Sequence, residues 1–448
     1  MDNLRMDRRT LLASGAVSIA GLAGCTGTDN PFGDSEGEAA DGWEIRLGAL
    51  VPQSGHLEQF SDEIVDAIEL VEAQFDQIID PNYDLNVTVR DTESDPETAA
   101  QMGQELVDDG HEVLIGPGSS ESLQALKQEV LQPESVVTIS FLAAAGLTQM
   151  DNDRHFYTMA PRTRDITRGM ERAVSLNQIG SVSIIHSNEQ YGVNINEQLA
   201  EGLISRGIEV YEQIEIDDED ESPSDSYLDQ ALADGPEGIV FACNPGPAIP
   251  LMEEYYANYE TVETVVPDRL RIPDLPSQIG SDMDKTSTVS IRPGWEQVAV
   301  RDSDSEEAED EVEVEEDDNL LEWFDIAYES KYDRIPSIHA AQAFDATVIM
   351  AIATIGVGED NYDGSMIGER IEQLVNPQSG YEGIRSYSVD NYWEGLAEIE
   401  DGIRNNYNGA TGQMELDSSG VRSNVVLEAA DFAPETDSGF EHVLPIHL

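Results

Sequence analysis

Short apolar segments alternate with amphipathic segments of helical length from residue 44 onward, and this alternation restricts the fold more than any other feature. The first series predicts strands at 44–51, 85–91, 112–115 and 136–140, with helices at 58–79, 96–109 and 119–131. Strands this short and apolar, separated by helices, indicate a parallel sheet that is covered by helices on both faces.

The same alternation begins again at Ser181. It predicts strands at 181–186, 209–216, 238–242 and 261–266, with helices at 191–206, 227–233 and 248–258. Two more helices are predicted at 320–332 and 338–356, and the second is apolar enough to be buried. Two successive doubly wound segments predict an α/β protein with two parallel-sheet lobes of ordinary domain size. A ligand is expected in the cleft between the lobes, outside the carboxyl ends of the strands.

Residues 1–25 have the features of an export signal. Arg8-Arg9 lies in a short basic start, and the apolar stretch Leu11–Leu22 is shorter than the ~20 residues that cross a bilayer. The arginine pair indicates the twin-arginine route, which exports folded proteins. Leu22-Ala23-Gly24-Cys25 resembles a lipobox, whose cysteine becomes the lipidated first residue; the alternative is an unmodified small apolar residue inside the signal. Residues 26–43 are rich in Gly, Asp, Glu and Ser and are predicted to form a flexible tether.

Acidic residues dominate the charge of the chain: 91 Asp and Glu stand against 23 Lys and Arg, a formal net charge of −68. This balance excludes nucleic acid as a partner, because nucleic-acid binding needs a basic surface. It also favours a halophilic, archaeal origin, since molar salt shortens the Debye length to about 3 Å and screens the self-repulsion. The alternative is an acidic secreted protein from an ordinary habitat.

Residues 302–318 are mostly acidic and have neither helical nor strand period, so we predict a solvated loop insertion. A cation-binding role for it is disfavoured, because the calcium-loop pattern is absent from the sequence. If Cys25 is lipidated, Cys243 is the only other cysteine, so no intramolecular disulfide is available. No Cys/His group in the sequence has metal-ligand spacing, and no metal or other cofactor is expected.

A set of motifs occurs in the order of a known family. The opening strand and loop is Ile45-Arg-Leu-Gly-Ala-Leu-Val-Pro-Gln-Ser-Gly55, and later blocks are Leu114-Ile-Gly-Pro-Gly-Ser-Ser120, Glu189-Gln-Tyr-Gly192, Ala340-Ala-Gln-Ala-Phe-Asp345 and Tyr407-Asn-Gly-Ala-Thr-Gly412. Together they resemble the type I periplasmic binding proteins, specifically the branched-chain amino-acid binding group of ABC transporters. The resemblance covers nearly all of 44–448. It implies a ligand-capturing protein that delivers a small solute to ABC permease subunits.

The resemblance also implies three crossings between the lobes, which we place near Pro161-Arg162, Arg292-Pro293 and Gly409–Gly412. The first lobe would then comprise 44–161 and 294–410, and the second lobe 162–293 and 411–448.

One end of the expected site is suited to an anion. Gly116–Ser120 joins a strand to a helix, where free N–H groups, hydroxyls and the helix dipole favour a carboxylate. Ser120 stands where family members bind the ligand carboxylate, whereas Ser119 is a good helix cap in its own right. The resemblance implies further contacts from the backbone of Ala143 and Ala144. Family members usually carry Thr where Ala144 stands, which puts an ordinary α-amino acid ligand in doubt.

Four further residues are candidate ligand contacts: the resemblance implies Tyr191, Phe60 and Asp274, and Asn244 is a candidate by its position after a strand. Tyr191 would reach the cleft from the second lobe, or pack at a helix start. Phe60 would flank the ligand, or belong to the core. Asn244 follows a strand of the second lobe and could face the cleft, and Asp274 is the candidate partner for a ligand ammonium. Among 91 acidic residues any single one is more often a surface residue.

Catalysis is not expected, because the chain lacks a nucleophile elbow, a zinc-binding His-Glu-x-x-His and a phosphate loop. The expected function is therefore capture of a small polar solute, such as an amino acid, an amide or a small carboxylate, by hinge closure. We expect a monomer on the extracellular face of the cell membrane, held there by the lipid. The alternative function is a binding protein that feeds a separate chemotaxis or sensory receptor.

Overall fold

The computed structural model describes residues 43–78, 83–111, 113–143, 153–220, 223–273, 275–281, 283, 285–291, 320–358, 363–376, 386–387, 406–423, 425, 427–433 and 440–446. Its strands are β1 Trp43–Val51, β2 Tyr83–Asp91, β3 Val113–Ile115, β4 Val137–Ser140, β5 Phe156–Pro161, β6 Ser181–Ser187, β7 Glu209–Ile216, β8 Gly238–Ala242, β9 Glu263–Val266, β10 Thr286–Ile291, β11 Ser386–Tyr387, β12 Asn406–Gly409, β13 Gly412–Gln413, β14 Val421–Arg422, β15 Leu427–Phe432 and β16 Phe440–Ile446.

The principal helices of the described residues are α1 Ser61–Ile78, α2 Pro96–Asp108, α3 Ser120–Leu126, α4 Thr163–Leu176, α5 Gln190–Ser205, α6 Ser226–Leu232, α7 Pro245–Asn258, α8 Leu275–Ile279, α9 Leu320–Tyr332, α10 Ile338–Val357 and α11 Gly364–Val375. Eight of these eleven agree closely with the predicted ones, whereas α4, α8 and α11 were not predicted. The helix predicted at 119–131 is divided, because α3 ends at Leu126 and a π-helical turn, Lys127–Leu131, continues it.

The first sheet has the strand order β14-β5-β4-β3-β1-β2, and every neighbouring pair in it is parallel. Apolar side chains project from both faces of β3. Val113 and Ile115 pack in the core under α1 and α10, while Leu114 packs in a second cluster with residues of α2 and α3. A sheet buried on both faces is what the unbroken apolar strands predicted. We call this sheet and its helices the first lobe.

The second sheet has the strand order β16-β15-β10-β9-β8-β6-β7. Its strands from β7 to β10 are parallel, whereas β10, β15 and β16 pair antiparallel. In β8, Ile239 and Phe241 face one apolar cluster and Val240 and Ala242 the other, so this sheet too is covered on both faces. The two doubly wound lobes predicted from the sequence are confirmed, and we call this one the second lobe.

The chain passes between the lobes near the predicted first position, since β5 ends at Pro161 in the first sheet and α4 packs on β10 and β15. The second predicted crossing, at Arg292-Pro293, lies outside the described residues. The third differs from the prediction: β14 pairs with β5 in the first sheet, so the chain reaches the second sheet only at Leu427 and not at Gly409–Gly412. Two residues of β14 carry no strand pattern of their own, which is why the sequence did not reveal it.

A buried carboxylate fastens the segment that precedes this last crossing. Asp345 of α10 accepts hydrogen bonds from Tyr407 Oη at 2.6 Å, from the backbone N–H groups of Ala410 and Thr411 at 2.8 Å, and from Thr411 Oγ1 at 2.7 Å. A Cβ at Gly409 would lie 2.3 Å from Asp345 Oδ1, so only glycine allows this approach. Arg422 donates to Thr411 Oγ1 and to its carbonyl, both at 2.8 Å.

Among the described residues, α10 is the one helix long and apolar enough to cross a bilayer by length and composition, and it is almost wholly buried inside the first lobe. The burial predicted for it is confirmed. The signal with Cys25, most of the tether and the acidic insertion 302–318 lie outside the described residues.

Candidate functional site

The loops at the carboxyl ends of both sheets surround one open cavity of about 660 Å³. The first lobe contributes the loops after β1, β2 and β3, and the second lobe those after β6, β7 and β8. The lining residues are Gly55, His56, Glu58, Gln59, Glu93, Ser94, Asp95, Pro96, Ser119, Glu121, Asn188, Glu189, Asp217, Asp218, Glu219 and Gly246. This is the position in which open α/β sheets bind ligands.

The turn after β3 brings Ser119 to the cavity. A Cβ at Gly116 would lie 2.2 Å from the Leu50 carbonyl oxygen, and the residue has φ +91°, so the turn depends on glycine. Ser119 caps α3: its Oγ accepts from Ser122 N–H at 3.0 Å and donates to Ser122 Oγ at 2.8 Å. The capping role of Ser119 is confirmed, and its hydroxyl proton is already used. Ser120 is buried at the first position of the same helix.

The next loop uses the backbone of Ala143 within the first lobe. Its N–H donates to Ser140 Oγ at 3.0 Å, and its carbonyl accepts from Thr158 Oγ1 at 2.5 Å. Ala143 itself is fully buried. Its backbone therefore has partners within the lobe, and Ala144 lies outside the described residues.

Tyr191 is buried in the second lobe against a charged pair. Its hydroxyl donates to Asp268 Oδ1 at 2.5 Å, and the Arg269 guanidinium carbon lies 3.7 Å from the centre of its ring. This is close enough for a cation–π contact, which is strongest when desolvated. Asp268 comes two residues after β9, and Tyr191 is the second residue of α5, so the ends of two elements build the contact.

Asn244 connects this pair to the cavity wall. Its Oδ1 accepts from Arg269 Nη1 at 2.6 Å, and its Nδ2 lies 3.0 Å from both carboxylate oxygens of Asp218. Asn244 is fully buried, and Asp218 is buried while still lining the cavity. Burial raises the pKa of Asp218 to about 6, although Asn244 and Arg269 oppose the rise.

His56 of the first lobe meets Asp218 of the second, with Nε2 3.2 Å from Oδ2. Burial, reinforced by the nearby Arg269, lowers the pKa of His56 to about 4. The imidazole is therefore neutral at pH 7, so this interlobe contact is a polar contact and not an ion pair.

A second contact joins the lobes beside the first. Glu121 Oε1, in the first turn of α3, accepts from the backbone N–H of Gln190 at 2.7 Å. The preceding residue, Glu189, caps α5 by accepting from Tyr191 N–H at 2.6 Å and Gly192 N–H at 2.7 Å. Burial raises the pKa of Glu189 to about 7, with Arg269 opposing the rise and Glu121 adding to it.

Phe60 lies just behind the cavity, in the core of the first lobe. Its ring meets the His339 ring edge-on with centroids 4.7 Å apart, and His339 Nδ1 lies 3.2 Å from Gln342 Oε1. Its neighbours Glu58 and Gln59, not Phe60 itself, line the cavity.

Of the predicted residues, the structure thus brings Ser119 to the cavity and Tyr191 and Asn244 to one polar cluster beneath it. Asp274 lies outside the described residues, and Asp268, six residues earlier, is the acid that the structure places beside Tyr191. The sequence reading also missed His56, Asp218 and Arg269. Asp218 and Asp268 each follow a strand end by two residues, a signal that could have singled them out. In the described part of the chain no group of three or more His, Cys, Asp or Glu side chains is placed to hold a metal ion.

Two α/β lobes that enclose a polar cavity at their strand ends define a bilobal solute-binding protein. The sequence model of the periplasmic binding protein family matches residues 44–289, more than half of the chain. The chain belongs to this family, and its fold is type I. It is a family of extracytoplasmic binding proteins and not of enzymes.

Solved structures share the fold at low sequence identity. A leucine-binding protein, LivK, from Thermotoga maritima aligns with a TM-score of 0.68 at 14% identity, covering 90% of this chain and 98% of its own. The branched-chain amino-acid binding protein LivJ from Streptococcus pneumoniae, in complex with isoleucine, gives 0.68 at 15% identity, covering 90% and 99%. A solute-binding protein of R. palustris in complex with benzoate gives 0.69 at 15% identity, covering 90% and 96%.

An uncharacterised protein of Methanocaldococcus jannaschii is 24% identical over 215 residues, which are 45% of this chain and 50% of that protein. The chain therefore matches about half the length of this curated relative.

Proposed function

We propose that this chain is the extracytoplasmic solute-binding protein of an ABC importer, capturing a small polar solute between its lobes. The solute classes proposed are amino acids, amides and small carboxylates. The observation that carries the proposal is the cavity at the strand ends, which loops of both lobes line and which two polar interlobe contacts flank. Relatives with this fold are in complex with isoleucine and benzoate, which supports small organic ligands of this size.

The interlobe contacts support capture by hinge closure. His56 reaches Asp218 and Glu121 reaches Gln190 only when the loops of the two lobes approach each other. A solute that contacts both walls adds interactions that exist in the closed form alone, and so shifts the population towards it. The permease would then recognise the closed form.

The predicted ligand contacts remain part of the proposal. Ser120 is proposed for a carboxylate or amide oxygen, with Ala143 and Ala144 beside it, and Ser119 as the cap of the same helix. Tyr191 and Asn244 are proposed to order the wall of the second lobe, with Phe60 behind the opposite wall. Asp268 joins Asp274 as a candidate partner for a ligand ammonium, because it is buried beside Tyr191.

The membrane anchor is proposed separately. A twin-arginine signal ending at Cys25 would leave a lipidated monomer tethered outside a halophilic archaeal cell. Cys25→Ala should release the protein into the medium or leave the signal uncut, because a single thiol carries the lipid. Membrane fractionation of cells checks this, and wild-type fractionation and mobility of the variant would contradict it.

The test of function is a thermal-shift screen of amino acids, amides, urea and small carboxylates in molar KCl, followed by calorimetry of each hit. Uptake of the labelled hit by cells that lack the gene then separates import from sensing. Loss of uptake supports the importer, whereas normal uptake with lost chemotaxis would support a protein that feeds a receptor. A screen without any stabilising solute would contradict solute capture.

A further inference from the structure

The charge of the cavity narrows the class of solute. Eight of its sixteen lining residues are Asp or Glu, against 91 of 448 in the whole chain, and none of the sixteen is Lys or Arg. The carboxylates come from both lobes: Glu121 lies on one wall, with Glu189 and Asp218 on the other. A solute held between these walls has acidic side chains on two sides.

The nearby basic groups offset only part of this charge, because Arg269 is the one that opposes the raised pKa values of Glu189 and Asp218. His56 is neutral at pH 7, as its lowered pKa shows. The guanidinium of Arg269 lies against the Tyr191 ring and donates to Asn244, whose amide faces Asp218 in turn. Arg269 therefore balances acidic groups of its own lobe beneath the cavity.

The end of the cavity suited to an anion also carries a carboxylate. The Ser119 hydroxyl already donates a hydrogen bond to Ser122 Oγ. Glu121 occupies the first turn of α3, where the backbone dipole favours a negative group. A ligand carboxylate placed there would lie near the Glu121 side chain. One carboxylate on the solute could still contact Ser120, provided that positive groups elsewhere on the solute outnumber it.

The raised pKa values of Glu189 and Asp218 agree with this picture. Burial is the first cause of both, and Glu121 adds to both by repulsion. A bound cation would relieve that repulsion and restore the charged form of each group.

We infer that the cleft selects an organic cation: a solute with more ammonium or guanidinium groups than carboxylates. The inference rests on the proposed capture function and specifies its substrate class. Such selection depends as much on rejecting anions by like charge as on attracting cations.

Arginine and citrulline make a matched pair of probes, because they share one shape and differ by the guanidinium charge. Agmatine removes the carboxylate, and benzoate supplies an anion. Calorimetry on the complete folded chain in about 1 M KCl leaves direct contacts intact while screening charges beyond about 3 Å. Arginine or agmatine should bind at least about tenfold more tightly than citrulline, since hydrogen bonds to charged groups are the stronger ones. Benzoate should not bind.

Charge-neutral variants separate recognition from closure. Asp218→Asn and Glu121→Gln should each lower the arginine-to-citrulline affinity ratio by about tenfold, towards equal affinity for the two probes. Glu201→Gln is the matched control, because it removes one charge from an exposed position of α5 about three turns beyond the cavity. It should leave the ratio unchanged.

Each other outcome counts against the inference. Citrulline or benzoate binding as tightly as the cations would overturn it and leave solute capture standing. An equal loss of arginine and citrulline affinity in Asp218→Asn would mean that the carboxylate serves closure and not charge selection. Failure of all four probes would also overturn it, while the wider solute screen still decides the proposed function.

Discussion

The carboxylate of Asp345 should hold the segment before the last interlobe crossing in place. It accepts four hydrogen bonds from residues 407–411. The Thr411 hydroxyl in turn accepts a hydrogen bond from the buried Arg422. Asp345→Asn keeps the size of the side chain but turns an N–H group towards donors that need an acceptor. Breaking a buried charged network from one side costs about 3–5 kcal/mol, a large part of the ~5–15 kcal/mol that stabilises a typical domain.

Urea denaturation at constant molar KCl measures this cost. With a slope of about 3 kcal/mol/M, the midpoint should fall by about 1–1.7 M. Thr411→Val, which removes one hydroxyl at nearly constant shape, should cost less, about 1–3 kcal/mol. Asp363→Asn is a control at the exposed cap of α11, worth about 1 kcal/mol at most. A midpoint for Asp345→Asn within about 0.2 M of wild type would refute the role assigned to Asp345.

Three further predictions concern the two serines, pH and salt. Ser119→Ala should lower the free energy of unfolding by about 1 kcal/mol, because a helix cap is lost, and should leave solute affinity unchanged. Ser120→Ala should weaken solute binding in calorimetry. The reverse pattern would mean that Ser119 contacts the solute and Ser120 does not. Burial between the lobes lowers the pKa of His56 from 6.5 to about 4, so its contribution to closure should be complete above pH 6.5 and be lost as pH falls towards 4. Affinity titrations should show this loss in wild type and not in His56→Gln. Far-UV circular dichroism should show loss of structure on dialysis from molar to about 0.1 M salt, and unchanged stability would contradict the halophilic origin.

The sequence predicted both lobes because an apolar strand and an amphipathic helix are local patterns. Strands β6, β7 and β8 agree with prediction to within one residue at each end. The late strands were missed for a physical reason: β14 has two residues, and β15 and β16 pair antiparallel as an addition to a parallel sheet. Such pairings depend on distant partners and leave little trace in the local pattern.

The sequence predicted where the site lies in the fold better than it predicted which side chains contact each other there. The loop after β3 and the start of α5 were expected at the cleft and are found there. The contact of His56 with Asp218 joins residues that are 162 positions apart and lie on different lobes, so no spacing in the sequence predicts it. The backbone of Ala143 shows the same limit, because only the fold reveals that Ser140 and Thr158 use its N–H and carbonyl groups.

Small-angle X-ray scattering with and without solute tests the central claim most directly. The radius of gyration of the soluble chain should fall when the tightest-binding solute from the screen saturates the cleft, because the lobes close around it. A paired measurement on Ser120→Ala at the same solute concentration should show a smaller fall, in proportion to its lower occupancy. Saturated binding, proved by calorimetry, with no change in the radius of gyration would contradict capture by closure of the two lobes.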